Sequence, residues 1–161
     1  MPESTLDVSL RPVALGDLET FFDHMQDGEA LWQAAFTPPD PSDREAFDAH
    51  WTRLLADDTV VAMTIVVDGS VAGHIASFDM LGDREITYWI DRDAWGRGIG
   101  TAALARFLEI EPTRPLYGRT AKDNLGSIRV MANNGFELVG EDRGFSTARN
   151  EEIDELVLRL D

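Results

Sequence analysis

Hydrophobic positions change their spacing along the chain. Residues 8–13 (Val8-Ser9-Leu10-Arg11-Pro12-Val13) predict a short first strand with Pro12 near its end. Asp17 can cap a helix, and Leu18, Phe21, Phe22 and Met25 then recur at i, i+3, i+4 and i+7. Gly28 is expected to stop that helix. Residues 37–41 hold three prolines and predict irregular chain. Ser42 with Glu45 matches a capping box, and the helix behind it would carry Phe47, Trp51, Leu54 and Leu55 on one face.

From Thr59 the pattern becomes that of strands. Thr59–Val67 is rich in β-branched residues, Asp68-Gly69 is a hairpin signal, and Val71–Phe78 returns. Gly82-Asp83 predicts another turn and residues 85–90 a third strand, so 59–90 read as an antiparallel meander. A glycine-rich turn, Trp95 to Gly100, leads into a helical pattern of Ile99, Ala102, Ala103, Phe107 and Ile110 that Pro112 and Pro115 end. Residues 116–121 predict a strand, 124–134 a helix closed by Gly135, 136–140 a strand, and 156–160 a last one. No repeat, linker or low-complexity tract interrupts residues 1–161, which are expected to form one α/β domain.

Composition narrows the function classes. The absence of cysteine excludes a disulfide framework, a thiolate zinc site and a cysteine nucleophile. Thirty acidic against 14 basic residues give a net charge of −16, a surface that repels nucleic acid and anionic lipid. The first residues, Met1 to Thr5, carry no basic segment leading into an apolar one, and no apolar run approaches a membrane span, so a cytoplasmic protein is expected.

The glycine turn carries the first chemical signal. Gly96, Gly98 and Gly100 allow close backbone approach, the following helix starts with unpaired N–H groups, and Arg97 adds a cation. Together these make an anion site. The Walker spacing is absent, and Gly-x-Gly-x-Gly is not the dinucleotide fingerprint, whose sixth position here is Thr101.

The segment from Tyr88 to Thr101 (YWIDRDAWGRGIGT) resembles the acetyl-CoA loop of the GCN5-related N-acetyltransferases, the GNAT family. Asn124-x-x-Ser127 leading to Asn134-Gly135-Phe136 is similar to the second half of that family's signature. Gly98 and Gly100 match the loop pattern, while Trp95 replaces its first polar residue; a Trp-Gly opening is similar to the branch containing ribosomal-protein N-terminal acetyltransferases. The resemblance implies a mixed, mostly antiparallel sheet of about seven strands, splayed between strands 4 and 5 and flanked by about four helices. It implies acetyl-CoA as co-substrate, with no metal. Its pantetheine arm would pair with the backbone of Tyr88, Trp89 and Ile90. Its pyrophosphate would sit on the amides of Gly96, Arg97, Gly98, Ile99, Gly100 and Thr101; Asn124 would bond the pantetheine side, and Ser127 would lie near the thioester sulfur.

Acetyl transfer to an amine needs a base, a donor for the developing oxyanion, and a proton for the departing thiolate. Glu85, at the start of the cleft strand, is the first candidate base. His74, among small apolar residues on the preceding strand, is the second, with packing within the sheet as its alternative role. His24 and His50 are expected to be packing or surface residues. The family often uses a tyrosine after the Gly-Phe pair as general acid. Here the only tyrosines are Tyr88 and Tyr117, so Ser127 is the candidate donor to the sulfur. Trp32, Phe36, Trp51, Trp89 and Trp95 could partly line the acceptor pocket, with Trp51 and Trp89 expected in the core; Asp40, Asp43, Glu45 and Asp79 could attract a cationic amine.

The implied activity is direct N-acetylation of a primary amine, a small molecule or a peptide, with no nucleic-acid or membrane partner. The last strand could pair across a homodimer. The competing reading is a non-catalytic acyl-CoA-binding sensor module, favoured by the missing tyrosine.

Overall fold

The structure is a computed structural model that describes residues 6–161. The Met1–Thr5 segment read above lies outside the described residues. The elements run β1 (Val8–Pro12), α1 (Asp17–His24), α2 (Gly28–Ala34), α3 (Arg44–Ala56), β2 (Val61–Val67), β3 (Ser70–Met80), β4 (Asp83–Ile90), α4 (Ile99–Ile110), β5 (Leu116–Ala121), α5 (Leu125–Asn133), β6 (Glu137–Ser146) and β7 (Glu151–Leu160). They build one mixed sheet of seven strands, as the family resemblance implied, and its order is β1-β2-β3-β4-β5-β7-β6. All neighbours are antiparallel except β4 and β5.

Strand alternation sends side chains to two layers. Ile65, Ile75, Leu104, Phe107 and Leu116 are fully buried in the layer beneath α4 and α5. Phe21, Phe47 and Trp51 of α1 and α3 form a smaller cluster with Ala62 and Val71 on the other face. Burying each such large side chain contributes roughly 1.5–3 kcal/mol. Asp17 ties this second layer to the sheet. Its carboxylate accepts two bonds from Arg11 on β1 (2.7 and 2.8 Å) and one from Thr64 on β2 (2.8 Å).

Several local expectations need correction. Gly28 does not stop the first helix, which ends at His24 with Met25 as its C-cap; it opens α2 instead. The Asp27 side chain accepts from the Ala30 N–H at 2.9 Å and caps α2, giving five α-helices among the described residues where about four were expected. Asp43, not Ser42, caps α3 by accepting from the Ala46 N–H at 3.0 Å, while the Ser42 hydroxyl turns to Asp40 at 2.6 Å. Leu55 leaves the buried face of α3 and is exposed. Asp68 (φ 49°) and Gly69 (φ 85°) form the hairpin turn as expected, but the next turn is centred on Leu81 (φ 52°) and Gly82 (φ 90°), and Asp83 already belongs to β4. β6 and β7 are longer than their apolar cores, because β6 is an edge strand whose polar residues still pair.

The functional geometry begins where β4 and β5 diverge. Their parallel pairing covers only Arg84–Ile86 against Leu116–Gly118. Beyond those pairs the two strands separate. Gly118 sits at the fork, where Met131 packs so closely that a Cβ would run into its Sδ.

Candidate active site

The fork opens into a cavity of about 750 Å³ lined by β4, β5, the β4–α4 loop, α5 and the end of α2. That volume is within the range of small-molecule sites. The structure brings Glu85, Tyr88, Trp89, Ile90, Asn124 and Ser127 together on its wall, with Gly96, Gly98, Ile99, Gly100 and Thr101 of the loop. Arg97 is exposed and lies outside the lining, while Arg129 of α5, not singled out in the sequence, lines it.

The loop end is built for an anion. Gly98 is the N-cap of α4 in the left-handed region (φ 75°), and no side chain caps the helix. The first intrahelical bond runs from the Ala102 N–H to the Gly98 carbonyl at 3.1 Å. The N–H groups of Ile99, Gly100 and Thr101 therefore have no helical acceptor, and the helix dipole adds positive potential. At Gly100 a Cβ would stand 2.8 Å from Val130 Cγ2, so glycine lets α5 pack against the first turn. These features fit a pyrophosphate.

The open flank of β4 offers a strand edge. The Asp91 N–H donates to Ala72 on β3 at 2.8 Å, and the Trp89 carbonyl abuts Gly73 on the same strand. Backbone groups alternate sides along a strand, so those of Tyr88 and Ile90 face the fork. This corrects the expectation for Trp89, whose backbone is turned to β3. The Ile90 carbonyl accepts from the Trp95 indole Nε1 at 3.0 Å, so Trp95 closes one end of that edge.

Two hydroxyls meet at the α5 side. Tyr88 Oη lies 2.7 Å from Ser127 Oγ, and burial pushes the phenol up to about 12. The Asn124 side chain caps α5 through the Ser127 N–H (3.2 Å) and donates to the Gln33 carbonyl of α2 (3.2 Å). The part of Tyr88 played by its side chain was not foreseen. Only its partnership with Ser127, 39 residues away, reveals it.

On the opposite sheet face stands a charged group. Glu85 is buried, and that burial raises its pKa against the opposing pull of Arg119, whose Nε is 3.5 Å away. Arg119 also reaches Glu155 at 3.1 Å and Asp142 at 3.6 Å. Neither Arg119 nor Glu155 was singled out in the sequence. Glu85 is paired with Tyr117 in register, so strand alternation puts Arg119 on the Glu85 face, but only with the pairing known.

His74 does not line the cavity. It lies beside Trp89 on that face, but α1 and α3 cover it. Its ring centroid is 4.8 Å from Phe21 and 5.0 Å from Trp51. Burial depresses its pKa to about 3, too low for a base at neutral pH. His24 lies 3.6 Å from Asp91, and His50 packs edge-on to Trp51. Of the aromatic set, Phe36, Trp89 and Trp95 line the cavity. Trp51 is core, and Trp32 stands outside beneath the Arg149 guanidinium at 4.9 Å. Asp40, Asp43, Glu45 and Asp79 do not line it; Asp79 pairs with Arg84 at 3.1 Å.

Comparison with known proteins agrees with this geometry. The family model of the acetyltransferase (GNAT) domain matches residues 7–137. The chain belongs to the GNAT acetyltransferase family. A comparison with curated proteins finds no match. Among solved structures, an N-acetyltransferase from Staphylococcus aureus superposes with a TM-score of 0.81 at 17% identity, covering 96% of this chain and 98% of that one. A GNAT superfamily phosphinothricin acetyltransferase from Sinorhizobium meliloti, in complex with AcCoA, gives 0.80 at 16%, covering 95% and 87%. Mycobacterium smegmatis RimJ, in complex with CoA-disulfide, gives 0.79 at 22%, covering 95% and 81%. At these identities the likeness is one of fold.

Proposed function

We propose that this protein is an N-acetyltransferase that moves an acetyl group from acetyl-CoA directly to a primary amine. The observation that carries the reading is the fork itself. One opening joins an uncapped helix N-terminus, a free strand edge and a buried carboxylate. The amides of residues 99–101 would take the pyrophosphate, and Arg129 and Arg97 would add charge from either side of the loop. The backbone groups of Tyr88 and Ile90 would hold the pantetheine arm as an added strand.

Glu85 accepts the proton of the attacking ammonium, directly or through one water. Its burial raises its basicity toward the working range. The neutral amine nitrogen then bonds to the thioester carbon, the resulting cationic nitrogen gives its second proton to water, and the carbon–sulfur bond breaks. Ser127 and Tyr88 form a hydroxyl pair from which the departing sulfur takes its proton, and solvent restores it. That pair answers the missing tyrosine after Gly135-Phe136, the feature that favoured a non-catalytic sensor. The proposal is tested by measuring CoA release and N-acetyl product over a panel of amines, beside Gly98→Asp. Amine-dependent release that the variant loses supports it. Tight acetyl-CoA binding without release on any amine would favour the sensor.

A further inference from the structure

The cavity is electrically divided. At the α4–α5 end its lining cation is Arg129, beside the free helix amides, and this half suits phosphates. At the far end the lining carboxylates Glu85 and Glu155 flank a single cation, Arg119, at 3.5 and 3.1 Å; Asp142 reaches Arg119 at 3.6 Å from outside the lining. The remaining carboxylate of the lining, Asp123, is held bidentately by Arg149 at 2.6 and 2.9 Å. Among the described lining residues, Arg119 and Arg129 are the only cations. The lining of the far end therefore has two carboxylates and one guanidinium, with no cation in excess to receive an acceptor's own carboxylate.

The walls of that end are aromatic. Phe78 stands directly opposite Glu85 across the β3–β4 pair, Trp89 is two pairs further along the same face, and Phe36 closes the side from the end of α2. The chain beside Phe36 is fixed by a bond in which the Ala35 carbonyl accepts from the Ser146 hydroxyl at 2.7 Å. An ammonium near Glu85 with an apolar body between these rings satisfies both features, and ring faces add attraction for the cation.

We propose that the acceptor is a primary amine with an aromatic or other apolar body and no carboxylate beside its ammonium. This rests on the transferase reading above, with which it shares the site. A free α-amino acid would bring its carboxylate against Glu85 and Glu155, whose shared Arg119 is the sole counter-charge at that end of the lining. The specificity-determining residues are Glu155, through its charge, and Phe36 and Phe78, through their rings.

Four probes test this: phenethylamine, phenylalaninamide, phenylalanine and ethanolamine. Binding of each is measured calorimetrically to the protein with and without CoA, and turnover is measured with acetyl-CoA. Phenethylamine and phenylalaninamide are expected to bind, and to be acetylated, at least tenfold better than phenylalanine and ethanolamine. Glu155→Gln, with its melting temperature checked against the wild type, is expected to narrow the gap between phenethylamine and phenylalanine at least threefold. The proposal is overturned if phenylalanine comes within tenfold of phenethylamine. It is also overturned if ethanolamine equals phenethylamine, if no probe binds, or if a folded Glu155→Gln leaves the ratio unchanged. Selective binding without turnover keeps the acceptor class and contradicts the transferase step, so the two readings fail separately.

Discussion

At the residue scale the decisive pair is Glu85 and Arg119. The base of the proposed reaction needs a raised pKa to collect a proton near neutral pH, and burial shifts Glu85 in that direction. Arg119 pulls the other way from 3.5 Å. Glu85→Gln is expected to lower kcat/KM about 10²–10⁴-fold while the Kd for acetyl-CoA stays within twofold, since the carboxylate is assigned to the proton and not to the phosphates. Arg119→Gln removes the opposing cation, so the Glu85 pKa rises further. The rising limb of the kcat/KM–pH profile, which follows deprotonation of Glu85, should then move to higher pH; a limb that stays in place would separate the two residues. Glu85 was legible from its place at the start of the cleft strand. Arg119 was not, because a parallel pairing between residues 32 apart carries no local sequence signal. His74 misled for the same reason: small apolar neighbours suggested access, and the covering rings of Phe21 and Trp51 come from distant helices.

At the element scale, α2 is the part that the sequence hid most completely. It is only seven residues long, too short for a clear helical period, and its leading glycine reads as a stop. Yet it is fastened at both ends across the mouth of the fork. Arg92, in the β4–α4 loop, pairs with Asp27 at 2.9 Å and Glu29 at 2.6 Å. Arg149, before β7, donates to the Trp32 carbonyl at 2.9 Å while gripping Asp123, and Asn124 donates to Gln33. Arg149→Ala should loosen α2 and its neighbour Phe36, raising KM for the amine at least fivefold with less than a twofold change in acetyl-CoA affinity. Equal loss of both would mean that α2 serves the whole cavity. The α4 terminus, by contrast, was plain in the sequence, because glycine spacing encodes its left-handed turn directly. Gly98→Asp places a non-glycine residue at φ 75° and a negative charge beside the free amides. At least a tenfold loss of acetyl-CoA affinity is expected by calorimetry, with little change in the circular dichroism spectrum.

At the scale of the whole molecule the fold was largely readable, since β-branched runs, hairpin dipeptides and amphipathic periods each set their own element. What they could not reveal was the fork, which depends on how few residues of β4 and β5 pair. The two-layer core also sets an acid limit. His74 is depressed from 6.5 to about 3, so its stabilising contribution is complete above pH 6.5 and is lost as pH falls toward 3. Asp17, held by Arg11 down to about 2, contributes above pH 3.8 and loses about 2 kcal/mol on descending to 2. Urea midpoints should therefore fall progressively below pH 6.5 and more steeply below 4. His74→Leu, which keeps an apolar group between α1 and α3, should flatten the first part of that decline.

The central claim is that the fork binds acetyl-CoA and delivers its acetyl group to an amine. The most direct measurement is simultaneous quantification of free CoA and N-acetylated product from acetyl-CoA and phenethylamine, for the wild type and Glu85→Gln. The expected result is a one-to-one yield of the two products from the wild type and a loss of both in the variant, which still binds acetyl-CoA. Release of CoA without N-acetyl product, or equal yields from both proteins, would contradict it.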